Sequence, residues 1–146
     1  MEIFIEYSLH CVAAFIATLA FCILFSVPVK QYIFCGICGA ASWLVYCIFD
    51  SVTGPVYATF FASLVIVFMS RIMAVVRKCP VSVFLITGII PLVPGSAIYY
   101  MAYNFFMDNM TEAGNYLFLT VKLASAIVMG IVCVFALPIK RKRFVK

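Results

Sequence analysis

The chain has 146 residues, 67% of them hydrophobic and only 10% charged, where a soluble domain carries about a quarter charged residues. That balance excludes a soluble globular protein and leaves an integral membrane protein, read as one membrane domain over 1–146, with no polar stretch long enough for a second domain. Ten Lys and Arg against five Asp and Glu give a net charge of +5, but the one basic cluster is too short, and too far from any folded domain, for nucleic-acid binding. Met1-Glu2 opens on an acid rather than the basic start of a secretory signal, so no cleavage is expected.

An apolar run of about 18 residues or more is long enough to cross a bilayer as a helix, and five are read in chain order. The first, Ile3 to Val27, ends at Pro28-Val29-Lys30-Gln31. The second, Ile33 to Phe49, is the shortest and stops at Asp50-Ser51-Val52-Thr53-Gly54. Pro55, suited to a first helical turn, opens the third, which runs to Val76. The fourth covers Val81 to Met107, and a polar loop from Asp108 to Asn115 leads to the fifth, Tyr116 to Pro138. A basic tail over 139–146 carries Lys140, Arg141, Lys142 and Arg143. The expected fold class is all-α and polytopic, with the fourth helix broken.

Charge placement supports five spans. Alternation puts Lys30, Arg77, Lys78 and the tail on one side, with Arg71 about one and a half turns inside that end and able to snorkel. Glu2, Glu6, Asp50, Asp108 and Glu112 fall on the other. The positive-inside rule then places the C-terminus in the cytoplasm and the N-terminus outside. The tail reads as a topology anchor that also favours anionic lipid. No internal repeat is found, so a complete transporter is expected to need more than this polypeptide.

Pro91, Pro94 and Gly95 interrupt the fourth run. Two prolines three residues apart remove donors and clash with the preceding turn. In hydrocarbon each unpaired backbone group costs several kcal/mol unless protein or a wet cavity receives it. From Val81 to Pro91 is about 15 Å of helix, half of a core of about 30 Å, so the break is expected near the midplane. The half-helix starting at Gly95-Ser96 would point free N–H groups at the membrane centre, an arrangement that favours a carboxylate. Ser96, Tyr99 and Tyr100 share its face at helical spacing, whereas Tyr103 and Tyr116 read as an aromatic belt. The competing reading is a proline kink packed against neighbouring helices.

Lys122 lies about two turns into the fifth span, and depth counting sets it level with Tyr99 and Tyr100. It is a candidate counter-charge for a bound carboxylate, or a snorkelling lysine that pairs Asp108 or Glu112. His10, one turn after Glu6, is titratable but near the outer end, where a solvated contact is the simpler reading. Asp50 either lines an outer vestibule or is a solvated helix end. The seven cysteines mostly lie in apolar spans; Cys35-x-x-Cys38 has no second pair or histidine, so no metal is expected. Cys35, Gly36, Cys38, Gly39, Ala40 and Ala41, with Ala58/Ala62 and Ala126/Gly130, form small-residue faces for a compact bundle or a subunit interface. No hydrolytic triad, phosphate loop or cofactor motif is present, so no enzymatic role and no cofactor are expected.

The segments Phe21 to Gly39 (FCILFSVPVKQYIFCGICG), Ala58 to Ser70 (ATFFASLVIVFMS) and Ile90 to Tyr100 (IPLVPGSAIYY) resemble the YjjB-type small subunits of the threonine/serine exporter (ThrE-like) family. The resemblance covers nearly the whole chain, and Pro91-x-x-Pro94-Gly95 is its most specific piece. It implies a bacterial inner-membrane exporter of small metabolites: threonine and serine in fused members, dicarboxylates such as succinate in the two-subunit type. It also implies a larger YjjP-like membrane subunit as partner. Only Pro91, Pro94 and Gly95 carry over from the family motif; Ser96, Tyr99, Tyr100 and Lys122 join the candidate site on the residue-level reading above. Two other roles fit the residues: a structural or regulatory membrane subunit without its own solute site, and a small homo-oligomeric channel.

Overall fold

A computed structural model of the chain describes residues 2–137, with side chains from residue 7 onward. The basic tail and the side chains of Glu2 and Glu6 lie outside the described residues. Six α-helices follow one another: α1 (Glu2–Leu24), α2 (Tyr32–Thr53), α3 (Pro55–Arg77), α4 (Val81–Ile89), α5 (Gly95–Phe106) and α6 (Met110–Ala136), with 3-10 turns at Val29–Gln31 and Ile90–Leu92. Four are long and apolar enough to cross a membrane, and the pair α4 plus α5, bent by 48°, meets the same length and composition taken together, as a broken fifth span or a re-entrant loop. The all-α polytopic fold and its broken fourth span are as the sequence predicts.

Two boundaries move outward for local reasons. The second span runs on through Asp50 and Ser51 to Thr53, because Ser51 and Thr53 return their hydroxyls to the carbonyls of Ile48 (2.8 Å) and Phe49 (2.9 Å). The last helix starts six residues before the predicted Tyr116, because the Asn109 side chain caps it by accepting from the N–H of Glu112, an acid at the third helical position as in a capping box. The expected polar loop shrinks to Met107, Asp108 and Asn109.

A single residue, Gly54, links α2 to α3, with φ 87 and ψ 169. That region is open essentially to glycine alone. Gly54→Ala is expected to cost about 1–3 kcal/mol, read as a lower thermal midpoint; a Cβ there would meet nothing within 4 Å, so the loss would be conformational rather than steric.

The small-residue faces are used inside the bundle. A Cβ at Gly36 would run into the Phe15 ring, at Gly39 into Thr18, at Gly88 into Ile66 and at Gly130 into Ser63. These positions let α1 approach α2, α4 approach α3, and α6 approach α3. Ala58 and Ala62 are fully buried. The result is a core in which α4 nestles among α1, α2 and α3, while α6 lies along α3. Cys38, Ala62, Ile66, Val67, Leu92 and Val134 form its centre.

Basic side chains fasten one end, called here the Arg77 end. Arg77 donates to the Gln31 side chain (3.0 Å) and stacks 4.2 Å over the Phe34 ring. Arg71 donates to the carbonyls of Val134 and Leu137 at the end of α6. Asp50, Asp108 and Glu112 belong to the opposite, Gly54 end, so the predicted separation of charge is seen among the described residues.

Candidate functional site

The break is made by the sequence and housed by the fold. Pro91 sits in the 3-10 turn Ile90–Leu92, Val93 is extended and Pro94 is the N-cap of α5. The turn packs against α1, α2 and α3, and Leu92 is only 5% exposed. The unwound backbone is therefore covered by the protein's own helices on its inner side. Its level along the bundle can be read against α3. Gly88 packs on Ile66, the middle residue of α3, so the antiparallel α4 carries Ile90–Pro94 about 3–9 Å beyond that level towards the Gly54 end.

At the start of α5 the Gly95 N–H donates to Val93 O (2.7 Å) and the Ile98 N–H to Pro94 O (3.1 Å). Pro94 offers no side-chain cap, and among the described residues the N–H groups of Ser96 and Ala97 have no acceptor. A Cβ at Gly95 would meet nothing within 4 Å, so this terminus faces open space. It combines two unfilled donors with the positive end of a helix of 12 residues. Ser96 is exposed beside it.

The tyrosines form one ring cluster. Tyr99 stacks on Tyr103 at 6.3 Å and meets Tyr100 edge-on at 5.5 Å, and Tyr100 stacks on Tyr116 of α6 at 5.4 Å. Tyr99 is 64% exposed. The residues Pro91, Pro94, Gly95, Ser96, Tyr99 and Tyr100 are thus consecutive along one edge of the bundle, with Tyr103 and Tyr116 joined to it.

Lys122 is not brought to this edge. The Tyr100–Tyr116 stack fixes the antiparallel register of α5 and α6 and sets Lys122 level with the Pro94–Ser96 segment, not with Tyr99 and Tyr100. It lies roughly half a turn around α6 from Ala113 and Leu117, which face α5. Its side chain is exposed and, among the described residues, makes no ion pair with Asp108 or Glu112. His10 and Asp50 are likewise exposed at the Gly54 end.

Two features had no clear sign in the sequence. First, α5 leaves the core: it packs substantially only on α6, and Ala97 is its one buried residue. A groove of about 490 Å³ opens between the two helices, lined by Met101, Ala102 and Phe105 on one side and Ala113, Gly114 and Leu117 on the other. Second, five buried hydroxyls of α1–α4 are turned back on their own helices. Thr18, Ser42, Thr59, Ser63 and Thr87 are buried, yet each returns its hydroxyl to a carbonyl of its own helix. These five hydroxyls satisfy themselves within their own helices, whereas at the start of α5 the backbone donors are left without such partners.

The sequence profile of a family described as threonine/serine exporter, ThrE, matches residues 10–137. No curated protein and no solved structure matches the chain.

Proposed function

Because the chain belongs to the threonine/serine exporter family, we propose that it is one subunit of an inner-membrane secondary exporter whose solute presents a carboxylate to the start of α5. The supporting observation is the pair of unfilled N–H groups at Ser96 and Ala97, on a helix end that faces open space. In a site with little water, fixed donors of this kind hold an anion without the reorganisation that solvent would require. Pro91 and Pro94 keep the helix broken, Gly95 leaves room for the solute, Ser96 adds a hydroxyl, and Tyr99 and Tyr100 form the wall. Threonine and serine fit, and a dicarboxylate such as succinate offers the same end group. Lys122, turned to the far side of α6, suits a contact with headgroups or a neighbouring subunit.

The same reading puts the Arg77 end in the cytoplasm and the N-terminus outside, since Lys30, Arg71, Arg77 and Lys78 gather there. Five spans, no internal repeat and an α5 supported on one side only favour a pathway completed by a second membrane protein, the larger YjjP-like subunit. The test is solute accumulation in cells making the chain, the adjacent-gene membrane protein, or both. Lower intracellular threonine, serine or succinate only when both are made supports the two-subunit exporter. Export by this chain alone supports a homo-oligomer, and export by the other protein alone leaves this chain a supporting role.

A further inference from the structure

We propose that Arg71 is a positioning residue: its fork on the last carbonyls of α6 is the pivot about which the α5–α6 hairpin turns against α1–α4. The proposal rests on the exporter reading, since it supplies the movement that carries the α5 terminus. Helix α6 packs on α3 about as extensively as α1 packs on α2, and its Val134 belongs to the central cluster, so the hairpin meets the core at one crossing. Helices α1 to α4 hold one another, while α5 touches the rest chiefly through α6, and α6 touches the rest chiefly through α3. The hairpin is thus joined to the core by the non-helical Val93–Pro94 link and by the α3–α6 crossing.

That crossing is held very unevenly. At its centre Gly130 slides against Ser63, whose hydroxyl is turned back to Phe60 O (2.7 Å) and offers α6 nothing. Among the described residues, the hydrogen bonds that join α6 to α3 are those of Arg71, to Val134 O and to Leu137 O (3.0 Å). The guanidinium also lies 5.5 Å over the Phe135 ring. A cation at the C-terminal carbonyls of a helix matches the helix dipole and adds a second bond to Val134 O, which also accepts from the Leu137 N–H (3.3 Å), and only arginine has the planar fork that reaches two acceptors together. From this clamp to the hairpin tip α6 runs about 40 Å, so a tilt of 10° at the pivot moves the tip by about 7 Å.

Ser70, the residue immediately before Arg71 in α3, has a hydrogen bond still to make. It is fully buried, and its hydroxyl is the one buried side-chain polar atom among those described that lacks a partner. It lies on the stripe of α3 that carries Ser63, which faces α6. An unmade bond at a buried hydroxyl destabilises this arrangement and would be recovered if a shift of α6 brought a carbonyl to it.

The experiment uses the full chain with its partner subunit in reconstituted membranes. Spin labels on non-cysteine handles at Val52 and Phe106, both highly exposed at the Gly54 end, report hairpin against core; a Val29–Val52 pair reports the core alone. Saturating threonine is expected to shift the Val52–Phe106 distance by about 5 Å or more and to leave Val29–Val52 unchanged. Arg71→Gln is expected to lower the maximal export rate about tenfold with the apparent KM within twofold and to broaden the Val52–Phe106 distribution. Arg71→Lys, with the charge but not the fork, should recover part of the rate. A fixed Val52–Phe106 distance in protein that exports, or an Arg71→Gln variant with raised KM and full rate, overturns the pivot. If Arg71→Gln does not accumulate, the distance measurement on the unaltered chain decides. Absence of export by the unaltered pair sinks the exporter reading itself and the pivot with it.

Discussion

Gly130→Val is expected to destabilise the protein more than any other single change at a glycine of α6. A Cβ at this position falls on the Ser63 hydroxyl and within 3.2 Å of the Phe60 carbonyl oxygen. The hydroxyl could rotate, but the carbonyl belongs to the backbone of α3 and cannot. The valine methyl groups would therefore push the helices apart along the crossing, separating Val134 from Val67 and drawing the α6 carbonyls away from Arg71. Overpacking of this kind costs about 3 kcal/mol, a fall of about 10 °C in the thermal midpoint for a chain of this size. Gly114→Ala, in the same helix but with open space around its Cβ, is the control and should be neutral or gain up to about 1 kcal/mol from helix propensity. Thermal unfolding of the two purified variants measures the contrast. Equal midpoints would mean that α6 does not cross α3 at this point.

Pro91→Ala with Pro94→Ala is expected to abolish most export while leaving the protein folded. Alanine restores two N–H groups and removes both ring clashes, so the helix can run from α4 into α5. The N–H groups of Ser96 and Ala97 would then bond to carbonyls one turn back, and the donors assigned to the solute would disappear. The 48° bend would relax, taking α5 off α6. Export should fall at least about tenfold, the scale of losing one or two charge-assisted bonds at about 1.5–3 kcal/mol each. Circular dichroism should show equal or higher helix content, which separates this loss from misfolding. Unchanged export rates in protein of normal abundance would remove the assignment of the site to Pro91, Pro94, Gly95 and Ser96.

Apolar length and proline chemistry are written locally, which is why the spans and the interruption at Pro91-Val93-Pro94 could be read from residues alone. Helix ends were less legible where side chains, not hydropathy, decide them: Ser51 and Thr53 satisfy the end of α2 internally, and Asn109 starts α6 within a stretch that looks like loop. The placement of Lys122 was beyond depth counting, because its level depends on the Tyr100–Tyr116 register and its direction on which face of α6 meets α3. The departure of α5 from the core has the same cause. Its sequence is less apolar than that of α4 but close to that of α3 and α6, so composition does not single it out, whereas the packing of Gly88 on Ile66 and Gly130 on Ser63 shows which helices share a core.

The one-residue join at Gly54 has a consequence for biogenesis. With no loop between Thr53 and Pro55, α2 and α3 form a helical hairpin whose turn has no length to spare. A join this short favours entry of the two as a pair, with Cys38 clustered with Ala62 and Phe49 stacked on Phe61 of α3. The strict geometry of that glycine therefore bears on how the pair is delivered to the bilayer as well as on the shape it finally takes there.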